Sequence, residues 1–194
     1  MRATQDELEV REQLFFGGFI FMSNRLKPAT RPCVAHLLQA GILVKMITGD
    51  HVNTAIAVAV ECGILEAPST YSILFVIEED LATGQAVVIN SATEKNETMS
   101  FKQLLDLLSA NKNAQVAMTG AGFNALKRMT DDEFPKVLLN KLIRHTQVFA
   151  RTKPNDKREL VLCIMKSKVG REGEEETDVL FCGDGANGNT YISL

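Results

Sequence analysis

The stretch ILVKMITGD, residues 42–50, decides the fold. It is an apolar, strand-like run that ends in Thr48-Gly49-Asp50 and passes directly into VNTAIAVAVEC, residues 52–62, a helix-like run stopped by Gly63. A strand that turns through a glycine into a helix is the repeating unit of α/β proteins. Outward from this unit, the pattern predicts a strand over 14–22 and a helix over 28–40 closed by Gly41. It predicts the strand itself over 42–47 and its helix over 51–62. Residues 72–80 and 85–90, joined by LATG, read as a hairpin and an antiparallel insertion. A helix over 100–110, a strand over 115–118, one or two helices up to His145 and a strand over 147–150 follow. The last units are a helix over 154–166, the charged connector GREGEEETD and a strand over 179–182. The predicted class is α/β, a mostly parallel sheet flanked by helices.

The 194 residues suffice for one ordinary domain. A 45% hydrophobic and 23% charged composition is that of a globular chain, not a disordered one. The net charge of −3 lacks the basic face that nucleic acid requires. The longest apolar run, LFFGGFIFM at 14–22, is far short of the roughly 20 residues that cross a bilayer. The first 13 residues, MRATQDELEVREQ, are too charged for the apolar core of a signal peptide and read as a linker. Cys33, Cys62, Cys163 and Cys182 are far apart, with no zinc-like spacing, and their apolar surroundings predict buried, reduced thiols.

Three places put polar residues where an open α/β sheet binds ligands, just past the carboxyl ends of strands. At Thr48-Gly49-Asp50, a hydroxyl and backbone N–H groups can meet an anion at a helix's positive end. Asp50 can equally be the N-cap of that helix. At Arg151-Thr152-Lys153-Pro154-Asn155-Asp156-Lys157, Pro154 suits the first helical position and puts Lys157 in the first turn. The helix dipole disfavours a cation there, so Lys157 either serves a nearby phosphate or is solvated. At Gly183-Asp184-Gly185-Ala186-Asn187, an aspartate between glycines either holds Mg²⁺ or makes an ordinary Asp-Gly turn. A fainter echo of the first turn occurs in VAMTGAGFNAL, residues 116–126. Ala121 stands there where the first copy has Asp50, so it reads as a repeated turn and not as a second site.

The order MITGD, FARTKPNDK, FCGDGAN resembles the phosphorylation domain of P-type ATPases, in the haloacid-dehalogenase-like superfamily. With the preceding segment Asn24-Arg25-Leu26-Lys27-Pro28, the long insert before FAR and alanine in GDGAN, the likeness is greatest to the fifth subfamily, its polyamine- and cation-transporting branch. It spans residues 14–187. The resemblance implies a Rossmann-like parallel sheet and a partial phosphorylation domain over 14–194, with an insertion at about 66–146. It implies ATP and Mg²⁺ as cofactors. Thr48, Gly49 and Asp50 would contact the nucleotide or the transferred phosphoryl group, and Arg151 would help bind ATP. Lys157 would neutralise the phosphorylated aspartate, Asp184 would bind Mg²⁺, and Asn187 would lie beside the phosphoryl group. Thr48, Lys157 and Asp184 would then form the catalytic set.

The departures are equally specific. The family's nucleophile lies in D-K-T-G-T, a motif missing from this sequence, and Gly188 stands where a second aspartate follows GDGAN. The sequence therefore reads as an internal slice of a transporter facing the cytosol, whose parent would sit in an endosomal, lysosomal or other internal membrane. Its transmembrane helices would lie outside this chain, and with them the site for the transported cation or polyamine. The chain alone is expected to turn over no ATP. The rival expectation is an inert remnant that acts as a protein-interaction or regulatory module. A stand-alone phosphatase is disfavoured by the lack of a D-x-D-x-[TV] nucleophile.

Overall fold

The computed structural model describes residues 17–21, 25–67, 73–91, 99–111, 113–129, 136–166 and 179–183. In chain order the elements are α1 (Thr30–Gln39), β1 (Met46–Ile47), α2 (Val52–Cys62), β2 (Ile73–Glu79) and β3 (Ala86–Asn90). They continue with α3 (Phe101–Ala110), β4 (Ala114–Thr119), α4 (Gly120–Met129), α5 (Lys136–His145), β5 (Thr146–Ala150) and α6 (Pro154–Lys166). Five strands form one sheet in the order β1-β5-β4-β2-β3. All neighbours are parallel except the β2–β3 hairpin. The predicted hairpin is thus an extension of the main sheet rather than a separate layer, because β2 pairs in parallel with β4 along Ile73–Ile77.

The period-two alternation of the strands sorts their side chains between two cores. Phe75 and Ile77 of β2, Val116 and Met118 of β4 and Phe149 of β5 face one side, where Leu104, Phe123, Leu126, Leu142, Ile143 and Leu160 of four helices cover them. Leu74, Val76, Ala117, Val148 and Ala150 face the other side and meet Val52, Ala55 and Ala59 of α2. Burying each large apolar side chain contributes about 1.5–3 kcal/mol. The β4–β5 ladder slips between Val116 and Ala117, and the Gln147 Oε1 accepts the Val116 N–H at 2.9 Å, so the irregularity leaves no stranded donor.

Helix ends follow the expected chemistry. Gly63 closes α2 in the left-handed region at φ 81°, and Ser100 opens α3 with a full capping box to Gln103.

Three expected strands are altered. Residues 17–21 have no regular structure, and Phe19, Ile20 and Phe21 are exposed; the rest of the predicted 14–22 strand falls outside the described residues. The strand predicted over 42–47 is reduced to Met46–Ile47, with Ile42 and Leu43 exposed. Val179–Cys182 likewise forms no strand, and Leu180 is 91% exposed. A strand needs a laddered neighbour, and among the described residues β1 has one on a single side, β5. Of the four cysteines expected to be buried, only Cys62 is; Cys163 is half-buried and Cys33 and Cys182 are exposed. Cys33 lies on α1, which buries Val34 alone, and Cys182 lies in the segment that forms no strand. Among the described residues no helix is long and apolar enough to cross a membrane.

Candidate functional site at the carboxyl ends of β1 and β5

Because β1 and β5 are parallel and in register, Met46 with Val148 and Ile47 with Phe149, both chains leave the sheet at the same end. The next residues of each, Thr48-Gly49-Asp50 and Arg151-Thr152, are then forced together. They are joined by backbone bonds that prolong the ladder. Thr48 N–H donates to the Phe149 carbonyl at 2.8 Å, and Arg151 N–H donates to the Asp50 carbonyl at 2.9 Å. Thr152 donates twice to the Thr48 carbonyl, from N–H at 3.1 Å and from Oγ1 at 2.8 Å. The Thr48 Oγ1 in turn accepts from Asp50 N–H at 3.1 Å.

This arrangement excludes one of the two readings of Asp50, that of a helix cap. The N-cap of α2 is His51, whose backbone is extended and whose Nδ1 accepts from Asn53 N–H at 3.3 Å. Asp50 is therefore not the cap; it is exposed at the sheet's end beside Gly49. Pro154 opens α6 as expected, and Lys157 is half-buried in its first turn. Thr48, Gly49, Asp50, Arg151 and Lys157 thus come from the two segments that meet at this end of the sheet. Asp184 and Asn187 lie outside the described residues.

Arg151 adopts φ 52°, the one non-glycine residue with positive φ among those described. That backbone costs roughly 1–2 kcal/mol and persists only where surrounding contacts impose it. Here they come from both flanks. Asp50 and Thr48 hold the turn on one side. On the other lies Gly120, the first residue of α4: a Cβ there would sit 2.7 Å from the Arg151 carbonyl oxygen and 3.2 Å from Thr152 Cα.

Residues that sequence reading passed over support the site and the strands that carry it. Asp156 is buried in the third position of α6; its Oδ2 accepts from Lys153 N–H at 2.8 Å and its Oδ1 from Asn124 Nδ2 at 2.9 Å. The signal was legible, since an acidic residue two positions after a helix-opening proline commonly turns back on the helix start. Thr152 carried no such signal, because its role depends on β1. Lys45, at the opposite end of β1, donates to the carbonyls of Ile143, Arg144 and Thr146 at 3.2, 2.7 and 2.5 Å. It satisfies the orphan carbonyls where α5 ends and β5 begins. Its burial, and then the neighbouring Arg144 charge, lower its pKa to about 8. Burial also lowers the His145 pKa, with Lys45, Arg144 and Lys141 acting in the same direction.

Chemically, the end of the sheet combines an exposed carboxylate, a hydroxyl, an arginine and a lysine near the first turn of a helix. Cations around a helix N-terminus suit an anion such as a phosphate. Mg²⁺ takes one or two carboxylates beside phosphate and water oxygens; Asp50 offers an exposed one at this end, whereas Asp156 is buried with its oxygens on Lys153 N–H and Asn124. Among those residues no group of three or more His, Cys, Asp and Glu side chains could hold a metal.

No protein-family model matches the chain. It is similar to the vacuolar cation-transporting ATPase YPK9 of Saccharomyces cerevisiae, 30% identical over 188 residues, covering 92% of this chain and 12% of that protein. It is 30% identical over 187 residues to the polyamine-transporting ATPase 13A2 of Mus musculus, covering 95% of this chain and 14% of the relative. To the human probable cation-transporting ATPase 13A4 it is 32% identical over 189 residues, with 92% and 14% covered. The chain therefore spans only 12–14% of the length of these relatives. Aligned over nearly its whole length with a short segment of several such transporters, and folded as a helix-flanked, mostly parallel sheet, the chain matches a fragment of a fifth-subfamily P-type ATPase.

Proposed function

We propose that this chain supplies the phosphoryl-stabilising and Mg²⁺-binding part of the ATP-hydrolysing cytosolic domain of a cation or polyamine transporter. The observation that carries this reading is the hydrogen-bonded meeting of Thr48–Asp50 with Arg151–Thr152 at the carboxyl end of a parallel sheet. Phosphoryl transfer spreads negative charge over the moving group, and catalysis consists largely of positioned cations and donors around it. In this reading the Thr48 hydroxyl and the 48–50 backbone face the phosphoryl group. Arg151 binds the nucleotide's phosphates, and Lys157 neutralises the phosphorylated carboxylate. Asp184 would hold Mg²⁺, with Asn187 beside the phosphoryl oxygens; the ion, when bound, offsets phosphate charge and orients its oxygens.

The attacking carboxylate belongs to a D-K-T-G-T motif that this sequence lacks, so the chain alone binds nucleotide without turning it over. In the whole transporter that carboxylate would come from another part of the polypeptide, and the energy of the phosphorylated intermediate would drive the cargo across an internal membrane. Titration calorimetry of the 194-residue chain with Mg-ATP tests the reading. Binding that weakens about tenfold or more in Arg151→Ala and Lys157→Ala supports it. A wild-type chain that binds no Mg-ATP, or variants that bind as wild type does, would overturn it, as would vanadate-sensitive ATPase activity in the isolated chain.

A further inference from the structure

The second Thr-Gly turn, at Thr119-Gly120, lies against the first site although it has no acidic residue of its own. Gly120 meets the Arg151 carbonyl so closely that any side chain would collide with it, and a Cβ would also come within 3.0 Å of the Asp156 Oδ2. Asn124, one turn into α4, ties this contact down: its Nδ2 donates to the Gly120 carbonyl and to the Asp156 Oδ1, both at 2.9 Å. Asp156 is buried and uses its other oxygen on Lys153 N–H, two residues past Arg151. The Thr119 Oγ1 accepts from Gly122 N–H at 3.0 Å and fixes the start of α4 itself. Arg151 is therefore clasped between two turns, the 48–50 turn and the start of α4, in a backbone conformation it would not keep alone.

We propose that Gly120, Asn124 and Asp156 are positioning residues that hold Arg151 in its left-handed backbone and so aim its guanidinium at the phosphate end of the site. The aim at phosphate rests on the function proposed above; the hold on the Arg151 backbone does not. Released from the clasp, Arg151 relaxes to an ordinary backbone and its side chain leaves from a different direction. The echo in the sequence thus has a purpose: the same turn built twice gives Arg151 a wall on each side.

The test exchanges the two partners. In Asn124→Asp two carboxylates face each other, and in Asp156→Asn an amide that still accepts from Lys153 N–H turns its NH₂ to Asn124, which can accept it only by flipping and giving up the Gly120 carbonyl. Each single variant is expected to bind Mg-ATP roughly tenfold more weakly and to shift the Arg151 ¹³Cα and ¹³Cβ resonances. The double exchange restores one donor facing one acceptor between positions 124 and 156 and keeps the bond to Lys153 N–H, but leaves the Gly120 carbonyl without its side-chain donor, so it should recover part of both signals, which general destabilisation would not do. Single variants with wild-type affinity and unmoved Arg151 resonances, or an exchange that recovers neither signal, overturn the proposal. If the wild-type chain binds no Mg-ATP, the nucleotide reading fails by itself and the Arg151 resonances alone decide. Gly120→Ala should move those resonances as well; should it not fold, Asn124→Ala, which deletes only the amide, reads the same signal.

Discussion

Thr152 gives both of its donors to a single acceptor, the carbonyl oxygen of Thr48, across 104 residues of sequence. The backbone bond continues the β1–β5 ladder by one step, and the hydroxyl adds a second bond that only Ser or Thr could supply. Thr152 is buried while Gly49 and Arg151 beside it are exposed, so it is the fixed point from which the two site segments diverge. Thr152→Val keeps the shape and removes the hydroxyl. The Thr48 carbonyl keeps its backbone partner, so the expected loss is about 1 kcal/mol in urea denaturation. Weaker Mg-ATP binding should accompany it, measured by calorimetry.

Lys45 makes stability depend on alkaline pH in a defined direction. Its folded-state pKa, about 8, lies below the ordinary 10.5, so between these values the folded chain holds fewer protons at this group than the unfolded chain. Stability must then rise with pH across that window as the buried charge is relieved. Lys45→Met abolishes this contribution. The wild-type minus variant difference in unfolding free energy should grow from pH 8 to 10.5, and a difference constant with pH would contradict the assignment.

Gly122 packs the start of α4 onto β2. A Cβ there would stand 2.6 Å from the Ile77 carbonyl oxygen and 3.0 Å from the Ile77 carbonyl carbon, both backbone atoms of a central strand that cannot swing aside. Gly122→Ala should therefore destabilise by about 1–3 kcal/mol despite alanine's better helix propensity. Thermal and urea unfolding read this directly, and a neutral or stabilised variant would show that α4 is free to shift.

The outer edge of β1 carries the exposed residues Ile42 and Leu43 just before it, and no described strand covers that side. Unpaired edges flanked by apolar residues template association. The isolated chain should show concentration-dependent association in sedimentation velocity, reduced by Leu43→Lys. A monomer at all concentrations would count against an open edge.

The sequence by itself determined the α/β class, the hairpin around LATG, the glycine that ends α2 and the proline that starts α6, because each is a local preference of backbone or side-chain period. It also placed Thr48, Asp50 and Arg151 at strand ends and Lys157 in the first turn of the helix that follows, where the motifs and their order were legible. The long apolar runs at 14–22, 42–47 and 179–182 misled, since apolarity marks a residue that could enter a sheet while pairing decides whether it does. Only the tertiary structure decided that His51 and not Asp50 caps α2, that Arg151 is strained, and that Thr152, Asn124, Asp156 and Lys45 belong with the site and its strands. Apart from the His51 cap, a bond to Asn53 two residues on, each of those roles is a contact with a partner distant in sequence, from 32 to 104 residues for the side-chain bonds of Asn124 and Thr152. No local propensity encodes such a contact; it exists once parallel pairing of β1 with β5, and of β5 with β4, has brought the two Thr-Gly turns to the same end of the sheet.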